Sequence, residues 1–378
     1  MPAKSHLVTP GPTPVPPEVV AAMSQPMLHH RGPDFQAIAE RVRTRLREVF
    51  HAAGDILLFA SSGTGAMEAA VTNLCSPGDR VLVASAGHFG ERWVAIARSY
   101  GLDVVHLRYA WGETPVPGEI AARLSESGGA RAVYITHSET STGVVADLRA
   151  VAERLSGSGA LLVVDAVSSL GAVPLAADAW GLDVVVSGSQ KALMTPPGLA
   201  LSSVSASARS ASRTAALPRF SLDWGRVESF GSTPAVSLVM GLDAALELLL
   251  VEGLEAAFDR HRRLGRACRA GAKAMGIDLF SPDEDRSAVV TAIRMPHGID
   301  GRVIVRAMRE RSGVTVGGGQ GELAGQIVRI GHIGYIGVAD VTAALAALEV
   351  ALDEAGAAIE RGVAVAAALE AYGERVPA

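Results

Sequence analysis

The chain has 378 residues and a formal net charge of −5, with 49% hydrophobic and 19% charged residues. That length supports a sizeable core and two domains, and the composition excludes a disordered chain. The charge balance gives no electrostatic case for nucleic acid or an anionic membrane. Cys75 and Cys268 are too few for a disulfide framework and fit a reducing cytosol. With no signal-peptide core and no charge-free apolar run of about 18 residues, a cytoplasmic protein is expected.

Residues 7–17 hold five prolines in eleven positions, which forbids helix and central strand. Residues 1–17 therefore read as an extended arm that either drapes over the body or reaches a partner subunit. A helix is expected over Glu18–Met23, then a loop at His29-His30-Arg31-Gly32. A second helix from Pro33 carries Phe35, Ile38, Val42, Leu46 and Val49 at spacings of three and four. Seven short apolar strands follow, over 56–59, 80–83, 103–107, 132–136, 161–164, 184–186 and 199–202. Helices separate most of them, among them 66–74, 91–100, 117–127 and 148–155. This alternation predicts a mainly parallel seven-stranded sheet covered by helices, in a large domain spanning 18–255. A helical pattern from Pro234 to about Met275 is one bent helix or two. Strand and helix signals beyond it (289–294, 300–311, 314–316, 327–330, 340–353) predict a small C-terminal α+β domain, 256–378.

The chemistry-bearing residues lie where strands end. Val184-Val185-Val186 breaks at Ser187-Gly188-Ser189 and delivers Gln190 and Lys191 to the carboxyl edge of the sheet, where open α/β sheets bind ligands. Ser62-Gly63-Thr64-Gly65 leaves a strand and opens a helix, so its free amides suit a phosphate; a tight structural turn would look the same. Asp165 ends an apolar strand, where a lone carboxylate is costly, so a cationic partner is implied unless it caps a turn. Phe89 stands between glycines at another strand end, placed to stack on a flat ring or to pack in the core. Arg329 interrupts the β-type run Ile327-Val328-Arg329-Ile330 and suits a carboxylate ligand, or else faces solvent.

Several stretches then line up in order. They are Thr9-Pro10-Gly11-Pro12, Ser62-Gly63-Thr64 with Met67-Glu68-Ala69-Ala70, and His137-Ser138-Glu139-Thr140-Ser141-Thr142-Gly143. Asp165-Ala166-Val167-Ser168-Ser169-Leu170-Gly171, Ser187-Gly188-Ser189-Gln190-Lys191 with Pro196-Pro197-Gly198, and Arg329-Ile330-Gly331-His332 complete the set. Together, over nearly the whole chain, they resemble the class V aminotransferases of the fold-type I pyridoxal phosphate enzymes. The nearest branch is that of alanine–glyoxylate and serine–glyoxylate (serine–pyruvate) aminotransferases. The resemblance implies that Lys191 bonds the cofactor covalently and later moves the substrate's Cα proton, and that Asp165 pairs with the ring nitrogen. It implies Val167 and Phe89 on the two ring faces, Ser62, Gly63, Thr64 and Gln190 around the phosphate, and Thr140 near the ring oxygen. Arg329, with the Gly11 backbone close by, would bind the substrate carboxylate. Ser232 or Thr233 would complete the phosphate site from the partner subunit of a homodimer, in place of the family's usual Tyr and Thr.

The resemblance thus implies a ping-pong transaminase with pyridoxal 5′-phosphate as cofactor and no metal. No second fixed cation for a dicarboxylate is evident, unless His30 or Arg31 reaches the pocket. Small donors (alanine or serine) and small acceptors (glyoxylate or pyruvate) are therefore expected. The alternatives are another donor (an aminophosphonate, ureidoglycine or pyridoxamine), a cysteine desulfurase-like lyase, and a non-catalytic subunit that kept the fold.

Overall fold

In the computed structural model, which describes residues 5–228, 233–281 and 287–373, the proline-rich arm starts as a strand. That strand is β1 (His6–Leu7). Pro17 and Pro33 each take the first helical position, where no N–H is needed, in α1 (Pro17–Met23) and α2 (Pro33–Phe50). Phe35, Ala39, Val42 and Leu46 form the buried stripe of α2.

The alternating region runs β2 (Asp55–Phe59), α3 (Gly63–Leu74), β3 (Arg80–Ser85), α4 (His88–Ser99), β4 (Asp103–Arg108) and α5 (Pro117–Glu126). After β5 (Ala132–Thr136) come the short pair β6 (Ser138–Glu139) and β7 (Val144–Val145), and then α6 (Leu148–Leu155). Next are β8 (Leu161–Asp165), β9 (Val184–Gly188) and β10 (Ala200–Val204). Seven of these strands form one sheet in the order β2-β10-β9-β8-β5-β3-β4. Only β10 runs antiparallel to its neighbours, so the sheet is mainly parallel, as the apolar runs predict. Alternate residues feed two cores. Leu58, Leu82, Ile135, Val164 and Val185 pack on one face, and Leu57, Val83, Tyr134, Val163 and Val186 on the other.

Short helices α7 (Ala206–Ser212) and α8 (Trp224–Glu228) precede the long helical stretch, which is two helices, α9 (Val236–Glu252) and α10 (Leu254–Ala274). The break is Gly253, whose φ of 87° only glycine adopts cheaply. The boundary expected between 255 and 256 falls inside α10. A second, three-stranded sheet contains β11 (Val290–Arg294), β13 (Gly317–Gly318) and β14 (Ile327–Gly331), with β14 in the middle. Around it lie α11 (Gly301–Ser312), the strand β12 (Val314–Thr315), α12 (Val338–Glu354) and α13 (Val363–Gly373).

The arm lies on its own chain. β1 pairs in parallel with β12, and Gly331 N donates to Val8 O at 2.9 Å. Two helices begin earlier than the apolar spacing predicts. α3 starts at Gly63 and α4 at His88, so Phe89 belongs to the first turn of a helix and not to a loop. Side chains outside the helix explain the second case: the first amides of α4 are held by Glu139 and Ser141.

Candidate active site

Five strand ends meet at one cavity of ≈ 260 Å³. Ser62, Gly63 and Thr64 follow β2, Phe89 follows β3, and Thr140 follows β5. Asp165 and Val167 end and follow β8, Gln190 and Lys191 follow β9, and Gly11 comes from the arm; all of them line the cavity. Arg329 is not in its lining. Thr233 is exposed and borders a separate hollow with Ser61 and Pro234. Ser232 lies outside the described residues.

Lys191 is buried, and its Nζ donates to Pro10 O at 2.6 Å. A Cβ at Gly11 would stand 2.4 Å from Lys191 Cδ, and the φ of 131° also favours glycine, so the arm closes on the lysine only because this residue has no side chain. Burial, then the Arg329 cation, push the Lys191 ammonium down to about 8, with Asp165 opposing. The neutral amine that a nucleophile requires is thus reached near pH 8 and not far above it.

Asp165 Oδ1 accepts from Val167 N at 2.8 Å. Burial raises the Asp165 carboxyl to about 6, against the pull of that hydrogen bond. A protonated ring nitrogen is the partner that would return it to its ordinary range.

At the start of α3 the Ser62 side chain makes no cap bond, so the first-turn amides of Gly63 and Thr64 stay available for a phosphate. A Cβ on Gly63 would stand 2.7 Å from Val167 Cγ2, so the turn that opens α3 and the valine after β8 are packed together. Gln190 Oε1 and Ser138 Oγ are buried and have no hydrogen-bond partner among the described residues, and both residues line the cavity. Two orphaned polar groups, an amine, a carboxylate and a set of free amides match a phosphorylated pyridine aldehyde. The residues present fit pyridoxal phosphate.

Arg329 does not face solvent. It is 6% exposed, with Nε donating to Gly318 O (2.8 Å) and Nη1 to Thr140 O (2.6 Å). Its Nη2 makes no hydrogen bond among the described residues, and burial pushes the guanidinium down to about 10. His30 and Arg31 stay out of the cavity. A second cation does enter it, from a residue that sequence reasoning missed. Arg92 lies one turn beyond Phe89, with its guanidinium 4.8 Å over the Phe89 ring and Nη1 donating to Thr64 Oγ1 at 2.9 Å. The only signal for it in the sequence is the spacing Phe89–Arg92, which matters because α4 opens at His88, three residues before the helix that periodicity predicts. Ser138 was likewise passed over.

Cys75 and Cys268 are fully buried, neither lines the cavity, and burial pushes both thiols up to about 11. Among the described residues no group of three or more His, Cys, Asp or Glu side chains could hold a metal ion. No helix there is long and apolar enough to cross a membrane.

The family model for "Aminotransferase class-V" matches residues 6–341. This chain belongs to the class V aminotransferase family. It is therefore a pyridoxal phosphate-dependent transaminase with the fold-type I architecture. The chain is 43% identical to the "Soluble hydrogenase, small subunit" of Synechococcus sp. (strain PCC 6716), over 93% of this chain and 94% of that one. It is 37% identical to the serine–glyoxylate aminotransferase of Methylorubrum extorquens, over 97% of this chain and 96% of the relative. The solved ureidoglycine–glyoxylate aminotransferase of Bacillus subtilis superposes with a TM-score of 0.94 at 32% identity, covering 99% of this chain and 100% of that one. The hydrogenase name belongs to that relative. The class V cavity described above is the site this chain offers for chemistry.

Proposed function

We propose that this class V aminotransferase carries the amino group of a small L-amino acid, alanine or serine, to a small 2-oxo acid, glyoxylate or pyruvate. The observation that supports it most is that Lys191 and Asp165, both buried, line one cavity beside the open start of α3. Bound pyridoxal phosphate supplies the electron sink that makes the donor's Cα proton acidic. Asp165 would pair with the ring nitrogen, and Val167 and Phe89 would pack against the two faces of the ring. The first-turn amides of α3, Ser62, Thr64 and Gln190 would hold the phosphate.

Lys191 Nζ would take the proton from the donor's Cα and deliver it to the cofactor carbon that receives the amino nitrogen, and would run the same transfers in reverse with the oxo acid in the second half-reaction. Arg329 would hold the donor's carboxylate through Nη2, with the Gly11 backbone alongside. Held there, the carboxylate would be kept from breaking away and the Cα–H bond would be left as the one to break. Thr140, whose carbonyl fixes Arg329, would also flank the ring oxygen. A homodimer in the cytoplasm completes the reading, with Ser232 or Thr233 of one copy closing the phosphate site of the other, and 18–255 and 256–378 acting as two domains.

One observation favours a second reading. Arg92 has no carboxylate partner among the described residues, so it would also suit a donor with a second anionic group, such as an aminophosphonate or a dicarboxylate. The bond to Thr64 ties Arg92 to the phosphate side and makes this the weaker reading. Desulfuration lacks a reachable thiol, and a non-catalytic role leaves the Lys191–Asp165 pair without a purpose.

The test is to purify the protein with added cofactor, reduce it with borohydride, and locate the labelled residue. Trapping at Lys191 is expected, followed in unreduced enzyme by bleaching of the visible band with alanine or serine. No visible band, or label elsewhere, would sink the site. Bleaching only with aspartate or an aminophosphonate would transfer the substrate reading to Arg92.

A further inference from the structure

Glu139 is fully buried one residue before the cavity wall at Thr140, and no step above uses it. Its Oε2 accepts from Phe89 N (3.0 Å) and Gly90 N (2.9 Å). Its Oε1 accepts from Ser141 N (3.1 Å) and Ser141 Oγ (2.5 Å), while Ser141 Oγ in turn accepts from His88 N (2.9 Å). The first three amides of α4 are thus held by one carboxylate and one hydroxyl from the turn after β5. A side chain at Gly87 would stand 2.5 Å from Glu139 Cγ, so the approach depends on that glycine having none. The next residue reaches the other way: Thr140 O takes the Arg329 Nη1 bond.

We propose that Glu139 is a positioning residue that holds the ring-stacking Phe89 and, through the adjoining Thr140 carbonyl, the carboxylate-binding Arg329 in one fixed relation. This rests on reading the cavity as the cofactor site. The physical ground is that an anion at a helix N-terminus accepting backbone N–H bonds makes strong, charge-assisted contacts. Without Glu139, no other side chain among the described residues accepts the Phe89 and Gly90 amides; Glu91 ties the same turn to Ser85 and Arg108 but leaves the backbone at Phe89 unheld. The ring face and the carboxylate anchor would then loosen together, although Glu139 touches neither cofactor nor substrate.

The test uses apoprotein titrated with pyridoxal phosphate. Glu139→Gln keeps the length of the side chain and removes its charge. A rise of about tenfold or more in the cofactor dissociation constant is expected, with reduced ellipticity per bound cofactor in the visible band. In loaded enzyme, KM for the amino donor should rise more than kcat falls. In a Phe89→Ala background the same change should add little to the dissociation constant, because the two residues act in series. A dissociation constant and ellipticity within about twofold of the parent overturn the proposal, and so does full additivity with Phe89→Ala. Should Glu139→Gln fail to fold, Ser141→Ala removes the bridge to His88 N. It is expected to shift both readouts the same way by less, and no shift there also overturns it. If the parent protein itself binds no cofactor, the site reading fails instead.

Discussion

Lys191 is surrounded by charges of both signs. Arg329 and Arg92 push its proton off and Asp165 holds it on, with burial as the largest influence. Loading of apoprotein with pyridoxal phosphate needs the neutral amine, so the loading rate should climb with pH through about 8 and level off above it. Arg329→Met removes a cation, so the midpoint should move upward; stopped-flow absorbance across pH 6–10 checks both points. A midpoint near 10.5, the ordinary lysine value, would contradict the burial argument. Residues of this kind are legible in sequence because the chain has only three lysines, and one of them follows a buried strand. Asp165 is legible for the same reason, being a carboxylate at the end of an apolar run. Arg92 is not, because it is one arginine among many on a helix and reaches the cavity only by its spacing from Phe89. Glu139 is quoted within a motif, but its work is visible only once the amides it accepts from are in place.

At the scale of elements, helix and strand identity followed from periodicity, while the starts of α3 and α4 did not. A helix that opens on Gly63 or on His88-Phe89-Gly90 has no apolar periodicity in its first turn, and what fixes it lies far away in sequence. The arm shows the same limit. Its prolines exclude helix, but nothing local says that His6–Leu7 pairs with Val314–Thr315. Gly331 makes this docking testable, because a Cβ there would stand 2.2 Å from Thr9 O, a backbone atom that cannot rotate away. Gly331→Ala should cost about 1–3 kcal/mol in denaturant unfolding and lift the arm from the lysine. Hydrogen exchange at the amides of residues 6–13 should speed up, and unchanged protection there would show that the arm is held elsewhere.

For the whole molecule, the sheet is readable because its inner strands are buried on both faces and so read as apolar runs, while the edge strand β4 is only half-buried. The assembly is not, since a shared site joins residues of two chains. Exposed Met27 and Phe220, each 71% accessible, are large apolar side chains of the sort an interface covers. If Ser232 or Thr233 serves the partner's phosphate site, Lys191→Ala and the double variant Ser232→Ala/Thr233→Ala should each be nearly inactive alone. Mixed after dissociation and reassembly, they should regain transaminase activity, because a hybrid dimer has one intact site. No recovery in a mixture that light scattering shows to be hybrid would rule out a shared site.

The arm's contact with Lys191 also orders events during synthesis. Pro10 precedes Lys191 by 181 residues, yet the strand that seats the arm contains Val314, and the glycine that lets it pass is Gly331. A chain still attached to the ribosome would assemble the seven-stranded sheet, lysine included, while the oldest stretch of polypeptide waits for a berth. Thr13 can already reach the Gln190 and Lys191 carbonyls, but the seat at Val314 and Gly331 is the last part of the enclosure around the amine to be made.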